Sequence, residues 1–366
     1  MNSIPRTSIF GVGALALGLA LACPEAQDDH RAEVASSVAQ TVLDDLGEAK
    51  QAAEGLRSGL EGFCAAPDAG TLAQAQAAWM QLRGPWKRLL ASPFGPIVDE
   101  GYASAIDFWP ARPSSIEGGL ASGASSQAEL DALGVASKGM PAIEYLLWDP
   151  QLGDAAILEL YLAAEGPQRC AHVELLAADV ALRLDELDAA WRDPGGFAEQ
   201  LEQAGSSEAF PTLALAIDEL LNAMIAGLHE LDDPKLGAPL GESVGAPQPD
   251  LVESRFSDRS LLDIRDGLDG FERAYFGSGE GSEDAPGLSL VVASESAAVD
   301  QRVRDALEAA RAAVEAVPEP LRTAIVEAPE QVAAAREAVH QLRVVLTVEV
   351  ASLLGVTVSL SDNDGD

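Results

Sequence analysis

A short segment between Lys138 and Trp148 contains the carboxylate that is best placed to take part in chemistry. Gly139 predicts a turn, and Pro141 suits the first turn of a helix, where a backbone N–H has no partner to lose. Glu144 then falls in the first turn as well, three residues after position 141, where the helix dipole favours a negative charge. Taken alone, the segment is explained by a stable helix start.

Few other residues offer ligand or nucleophile chemistry. The chain has four His and three Cys, and it lacks the HExxH, CxxC, P-loop, GxSxG and dinucleotide-binding motifs. His172, His229 and His340 have no partner at ligand spacing, so we expect structural roles for them. For Cys64 and Cys170, a disulfide and two buried thiols stay equally open. The alternating acids of residues 362–366 have calcium-loop spacing but no bidentate glutamate after them, which favours an acidic tail.

The charge of the chain narrows the classes of partner. The sequence has 23 basic and 59 acidic side chains, a formal net charge of −36. Such a polyanion is repelled by phosphate backbones, which excludes nucleic acid, and it has no attraction of its own for an anionic membrane surface. Because 48% of the residues are hydrophobic, the chain can nevertheless bury a large core.

The first 22 residues are predicted to be an export signal. The apolar run of residues 11–22 is too short for a permanent membrane span and matches a signal peptide. Small residues directly before Cys23 favour a lipoprotein signal, in which Cys23 is lipidated and becomes the mature N-terminus. Cleavage by an ordinary signal peptidase and retention as an anchor are the alternatives. Residues 23–31 would form a tether, and the N-terminal lipid would be the only membrane attachment.

Apolar residues at spacings of three and four predict helices along most of the mature chain. Val34, Val38 and Val42 are the first of them. Strand patterns are sparse, so we predict an all-α fold with two helical-bundle domains. The first domain would span residues 32–232 and the second residues 251–366, with the Pro- and Gly-rich stretch 233–250 as a linker.

Several segments together resemble the imelysin-like family of bacterial envelope proteins, also known as the insulin-cleaving membrane protease family. The segment that begins at Gly139 is similar to the family signature GxHxxE, followed by Tyr-Leu-Leu and an aromatic residue. The other similar segments occur in the family's order and cover nearly the whole mature chain: Trp79 and Trp86, 94–97, 106–110, Ser257 with Ser260 and Leu261, Gly270, 275–277, 354–356 and 364–366.

The resemblance implies a two-domain, all-α protein that is exported or lipidated, is linked to iron acquisition and has the signature at a cleft in its first domain. Family members were first classed as metallopeptidases, with a metal held by the His and Glu of the signature. Here Pro141 occupies the His position, while Gly139 and Glu144 are present. Proline offers no metal donor, and a peptidase needs about three protein ligands around its metal.

We therefore predict a non-catalytic envelope protein for iron or other metal handling that contacts envelope metal-transport components. Carboxylates would hold iron or another divalent cation, with Glu144 as the central ligand and Asp107 and Asp99 as helpers. An Arg or Lys partner, with Arg112 as the first candidate, would instead make Glu144 a structural ion pair. Two alternatives are a metallopeptidase whose site is rebuilt from distant residues and a degenerate homologue that binds a protein or a non-metal ligand.

Overall fold

The computed structural model describes residues 24–241, 245–277 and 285–358. Within these ranges the regular structure is helical, and extended backbone pairs only in an isolated antiparallel bridge between Gly277 and Pro286. The predicted all-α fold is confirmed. The predicted signal of residues 1–22, the lipidation site Cys23 and the acidic tail 362–366 lie outside the described residues.

The described part of the chain contains seventeen α-helices, two 3-10 turns and two π-helical turns. The α-helices are α1 (Pro24–Ala65), α2 (Ala69–Leu89), α3 (Pro96–Asp99), α4 (Tyr102–Asp107), α5 (Pro113–Ser122), α6 (Gln127–Asp131), α7 (Gly139–Leu147), α8 (Asp154–Leu162), α9 (Gly166–Arg192), α10 (Phe197–Glu202), α11 (Leu213–Glu230), α12 (Ala238–Leu240), α13 (Ser260–Phe276), α14 (Ser289–Glu315), α15 (Leu321–Glu327), α16 (Pro329–Val344) and α17 (Ala351–Leu354). The 3-10 turns are Val135–Ser137 and Pro249–Leu251, and the π-helical turns are Leu231–Gly237 and Val345–Val350.

Three long helices, α1, α2 and α9, build the core of the first half of the molecule. In α1, Val34, Val38 and Leu46 are buried, so the residues that predict the helix also form its packing face. The N-terminus of α2 is closed by a capping box, in which the Asp68 side chain accepts a hydrogen bond of 2.8 Å from the Thr71 backbone N–H. Each fully buried leucine or valine stabilises the fold by about 1.5–3 kcal/mol because it leaves water.

The second half is built around α13, α14 and α16, and α13 also packs directly on α2. The approach of α13 to α2 is close at Gly270, where a Cβ atom would lie 2.5 Å from the carbonyl oxygen of Arg88. A single hydrophobic core includes residues of both halves. The division into domains at residues 233–250 stays a prediction, since the two halves share this core.

The segments predicted as a linker and a tether are helical over most of their described residues. Helix α11 continues directly into the π-helical turn Leu231–Gly237, with Pro234 inside it. The neighbouring Lys235 reaches the buried carboxylate of Glu253 at 3.3 Å, so tertiary contacts outweigh the local turn signal of Pro and Gly. At the other end, the described residues of the predicted tether, 24–31, belong to α1.

A disulfide joins the end of α1 to the start of α9. Of the two alternatives for Cys64 and Cys170, the structure shows the disulfide, with 5.5 Å between the two Cα atoms. This separation is typical of disulfides. None of the described helices is both long and apolar enough to span a membrane.

Replacing both cysteines, as in Cys64→Ser with Cys170→Ser, is expected to lower the free energy of unfolding by about 2–5 kcal/mol, because the bond closes a loop of more than a hundred residues in the unfolded chain. Urea denaturation of both proteins, with and without a reductant, measures this loss. The reductant should destabilise the wild type and leave the double variant unchanged. Equal midpoints for the wild type in both conditions would show that the bond contributes nothing.

Candidate functional site

Helix α7 carries the signature segment, and its first residues contact α4. Gly139 has a φ of 78°, and a Cβ atom there would lie 2.5 Å from the carbonyl oxygen of Ile106. Glycine is therefore required at this position both by its backbone conformation and by its surroundings. Pro141 is the third residue of α7, where the missing N–H costs no helix hydrogen bond.

The Glu144 side chain is buried, with 2% of its residue surface exposed, and it binds a loop from the second half of the molecule. Its Oε1 atom accepts hydrogen bonds from the backbone N–H of Phe256 at 3.0 Å and of Ser257 at 2.8 Å. The Ser257 hydroxyl donates a third hydrogen bond to the same oxygen at 2.8 Å. The carboxyl group of the signature thus serves as an anchor for residues 256–257.

Burial raises the pKa of Glu144 from its ordinary value of 4.5 to about 7. The hydrogen bonds from Ser257 and the positive charge of Arg83 act in the opposite direction, but desolvation of the carboxylate is the larger effect. The group therefore changes its protonation state near neutral pH while it holds the loop.

The loop that Glu144 anchors has an unusual backbone at both ends. Ser254 and Asp258 have φ values of 45° and 59°, which residues other than glycine rarely adopt. The Ser254 hydroxyl donates to Asp263, and Arg322 donates to both carboxylate oxygens of Asp258, at 2.5 and 3.1 Å. Such a conformation persists only when the surroundings hold it, and these contacts and Glu144 do so.

Next to Glu144 lies a set of buried ionised side chains that we call the charge cluster. It contains four basic and three acidic residues, contributed by both halves of the molecule: Arg83, Lys87, Lys235, Arg259, Asp107, Glu253 and Asp263. All seven side chains have about a tenth or less of their surface exposed.

Arg83, on α2, is the centre of the charge cluster. Its Nη1 atom lies 2.6 Å from Asp107 Oδ1, and its Nη2 atom lies 2.6 Å from Asp263 Oδ2. Lys87, one turn further along α2, lies 2.8 Å from Asp107 and 2.6 Å from Glu253. Because Asp107 is on α4 while Glu253 and Asp263 belong to the second half, these two cations connect the halves.

The carboxylates of the charge cluster stay ionised although they are buried. Burial alone would raise the pKa of Asp107, but Arg83 and Lys87 hold that pKa well below its usual range. The pKa of Asp263 is likewise lowered, because Arg83 and Arg259 outweigh its burial. Trp86 Nε1 also donates to Asp107, at 3.1 Å, so both oxygens of this carboxylate are hydrogen-bonded.

Glu144 and members of the charge cluster together line a small cavity of about 10 Å³. Its walls include Arg83, Asp107, Pro141 and Glu144 from the first half and Glu253 from the second. A space of this size has room for about one water molecule and not for a substrate.

The structure brings only part of the predicted metal site together. Asp107 and Glu144 line the same cavity, whereas Asp99 is exposed at the end of α3. Arg112 lies over the ring of Phe108, at 5.1 Å, and makes no ion pair with Glu144 among the contacts that the structure describes.

None of His172, His229 and His340 lines the cavity beside Glu144. His340 Nδ1 is 3.1 Å from the buried carboxylate of Asp232, and His229 is 3.9 Å from the same group. His172 is buried with neither ring nitrogen hydrogen-bonded, and burial lowers its pKa.

These side chains do not fit a metal ion. Asp107 is neutralised by Arg83 and Lys87, Pro141 has no donor atom, and the Oε1 atom of Glu144 already accepts three hydrogen bonds. The guanidinium of Arg83 lines the same cavity and would also repel a further cation. Within the described ranges, no three His, Cys, Asp or Glu side chains are arranged to hold a metal. The assignment of Glu144, Asp107 and Asp99 as ligands stays a prediction that this geometry does not support.

Sequence reasoning missed the residues that matter most to this arrangement. Arg83 and Lys87 stand one turn apart on α2, but nothing in their spacing shows that both are buried. Ser257 lies in a segment that carries the family resemblance, and this was the one available signal for the partner of Glu144. No sequence pattern points to Phe256 as a partner of Glu144.

The chain is similar to a known family and to a known protein. The family model for imelysin matches residues 42–348 of the chain. Iron-regulated protein A of Synechococcus elongatus is 28% identical over 275 residues, which are 73% of this chain and 70% of that protein.

Two solved structures are similar in fold. An iron-regulated protein A precursor from Parabacteroides distasonis has a TM-score of 0.77 at 20% identity and covers 89% of this chain and 94% of its own. An imelysin-like protein from Psychrobacter arcticum has a TM-score of 0.72 at 16% identity and covers 91% of this chain and 98% of its own. At these identities the structures support the fold alone.

Replacing Arg83 by alanine should lower the free energy of unfolding by about 3–5 kcal/mol, because Asp107 and Asp263 would be left buried without their shared cation. Urea denaturation measures the loss. Arg57→Ala is the matched control, since Arg57 also pairs with two carboxylates but on an exposed helix face, and its loss should lie within experimental error. Similar losses for both variants would contradict the role given to burial.

The raised pKa of Glu144 predicts a specific dependence of stability on pH. The folded state binds a proton more tightly than the unfolded state, so the stability that this group contributes is present below about pH 4.5 and is lost as the pH rises to about 7. Glu144→Gln keeps an acceptor oxygen and removes the titration. Compared with this variant, the wild type should lose up to about 3 kcal/mol between pH 4.5 and pH 8. If the free energies of unfolding of the two proteins change with pH in parallel across this range, the raised pKa of Glu144 is contradicted.

Proposed function

Because its residues 42–348 match the family model, the chain belongs to the imelysin family, and from this premise we propose that it is an exported, non-catalytic protein of the bacterial cell envelope that acts in iron handling. The iron-related part is supported by the name of the relative in Synechococcus elongatus, iron-regulated protein A. The absence of catalysis is supported by this chain's own residues.

Export is supported by two observations. The first 22 residues match a signal peptide, and Cys23 is the proposed lipidation site, which would place the protein on a membrane surface facing the periplasm or, without the lipid, free in the periplasm. The disulfide between Cys64 and Cys170 also favours an oxidising compartment outside the cytoplasm.

The observation that carries the non-catalytic assignment is the set of contacts around Glu144. A metallopeptidase holds its metal with about three protein ligands and uses it to activate water. In this chain the signature carboxyl group is buried against the Ser257 loop, and the neighbouring Asp107 is paired with two cations. No contact among the described residues favours the alternative of a peptidase site rebuilt from distant ligands.

A protein without a resident metal can serve iron handling through its partners. We infer that envelope metal-transport components contact this chain, whereas nucleic acid is excluded by its net charge of −36. The same charge raises the local concentration of cations weakly and without specificity.

The purified mature protein should show no metal-dependent cleavage of unfolded casein. A chelator should therefore change nothing, whether or not zinc or ferrous iron has been added. Calorimetry should also give the same metal affinity for the wild type and for Glu144→Ala, because Glu144 holds the loop instead of a metal. Casein cleavage that is abolished both by a chelator and by Glu144→Ala would show that the protein is a peptidase. A stoichiometric metal that is lost in the variant would restore the predicted ligand role.

The iron-related role has a separate test in the producing bacterium. Deleting the gene should reduce the uptake of radioactive iron under iron limitation, and uptake should return when the wild-type protein is supplied. Uptake that is unchanged in the deletion strain would contradict this role while leaving the results on Glu144 intact.

A further inference from the structure

His172, on α9, is a buried titratable side chain that takes no part in the proposed function. Only 2% of the residue surface is exposed, and neither ring nitrogen is hydrogen-bonded within the part of the chain that the structure describes. These surroundings favour the neutral imidazole over the imidazolium, because a buried charge loses its water without gaining a partner. His172 is therefore held neutral for as long as its surroundings stay closed.

The residues on either side of His172 along α9 contact α5 and α6. Residues that are four and seven positions apart on a helix share nearly the same face. On this face of α9, Gln168 donates to the carbonyl oxygen of Leu120 in α5 at 2.9 Å, and Asp179 accepts from Gln127 in α6 at 2.6 Å. His172 lies on the same face between Gln168 and Asp179, so the segment that contains α5 and α6 lies over its ring.

This segment, residues 113–131, which we call the flap, has few buried residues of its own. The buried residues of α5 and α6 are Ile116, Gly119 and Leu130. The other anchors of the flap are polar: Tyr145 on α7 donates to Glu117 at 2.9 Å, and Arg183 on α9 donates to Asp131 at 2.5 Å. A segment with few buried apolar contacts opens locally at a low cost in free energy.

The electrostatic surroundings of His172 also oppose a positive charge on its ring. Burial lowers the pKa of His172 from its ordinary value of 6.5, and the positive charge of Arg169 lowers it further. Glu117 on α5 acts in the opposite direction, with a smaller effect. Titratable side chains on the neighbouring helices have other partners: Tyr145 of α7 has Glu117, Asp131 of α6 has Arg183, Tyr161 of α8 has the Leu146 carbonyl oxygen, and Glu61 of α1 has Arg57. A proton on His172 is therefore favoured only when the flap is open.

We propose that the flap is an acid-sensitive cover of α9, which is closed while His172 is neutral and opens when His172 takes up a proton. In the open state water would hydrate the imidazolium, and the guanidinium of Arg169 could move away from it. Because the flap has few buried residues, its opening costs less free energy than unfolding of the whole molecule. The proposal goes beyond the proposed function, since the opening requires neither iron nor a partner.

Proton linkage sets the pH range in which the flap opens. His172 binds a proton less tightly in the closed state than in the open state, where its pKa returns toward the ordinary value of 6.5. The stability of the closed state is therefore complete above about pH 6.5 and decreases as the pH falls below that value. Because Pro113 and Glu117 of the flap line a groove of about 680 Å³ beside α7, opening of the flap would also widen this groove.

Hydrogen exchange of the full mature protein tests this, with mass spectrometry of peptides from residues 113–131 at about pH 7.5 and about pH 5.5. Each rate is divided by that of the unfolded peptide, because the chemical step of exchange itself depends on pH. In the wild type, the protection of the flap should fall at least about threefold at the lower pH, while the protection of α13 should not fall. In His172→Leu, which removes the titration, the flap should be equally protected at both pH values.

His229→Leu is the matched control, since the His229 side chain is 48% exposed and lies near Asp232, away from the flap. This variant should keep the response of the wild type. His172→Gln, which also removes the titration but keeps a polar side chain, gives the same test if His172→Leu does not fold. The proposal is overturned if the protection of the flap in the wild type does not change with pH, if it falls equally in the His172 variants, or if α13 loses protection to the same extent. None of these results depends on iron uptake or on casein cleavage.

Discussion

The ion pairs of Arg83 are the interaction on which the rest of this structure depends. A guanidinium group with only 1% of its side chain exposed is tolerable only if carboxylates replace the water that it has lost. Asp107 and Asp263 do so from two different halves of the molecule, at 2.6 Å each. The position of α13 against α2 is therefore tied to the position of α4, and the loop of residues 253–258 contacts α2 through Glu253 and α13 through Ser254.

This constraint changes the meaning of the family signature in this chain. Where the family has a histidine and a glutamate side by side, Pro141 leaves the glutamate alone, and Glu144 binds backbone and hydroxyl donors of the opposite half. In the charge cluster beside it, Arg83 and Lys87 are buried against the carboxylates of Asp107, Glu253 and Asp263. This carboxyl group, whose pKa burial raises to about 7, anchors the loop of residues 256–257.

Much of the fold and little of the site could be predicted from the sequence. The spacing of Val34, Val38 and Val42 shows a helix face directly, because local periodicity and burial coincide there. The pairing of Arg83 with Asp263 joins residues 180 positions apart, and no local pattern encodes it. Pro234 predicts a break, yet the contact of Lys235 with Glu253 keeps the chain helical. The family resemblance points to Gly139 and Glu144. The role of Glu144 as an anchor depends on Ser257, which only the folded chain brings into contact with it.

The central claim, that Glu144 holds the loop of residues 256–257, is tested most directly by amide hydrogen exchange at Phe256 and Ser257. In metal-free buffer, exchange at both amides should be much faster in Glu144→Ala than in the wild type, and it should be restored toward the wild-type rate in Glu144→Gln. Added zinc or ferrous iron should change none of these rates. Amides that exchange equally in the wild type and in Glu144→Ala, and that become protected only when metal is added, would contradict the account.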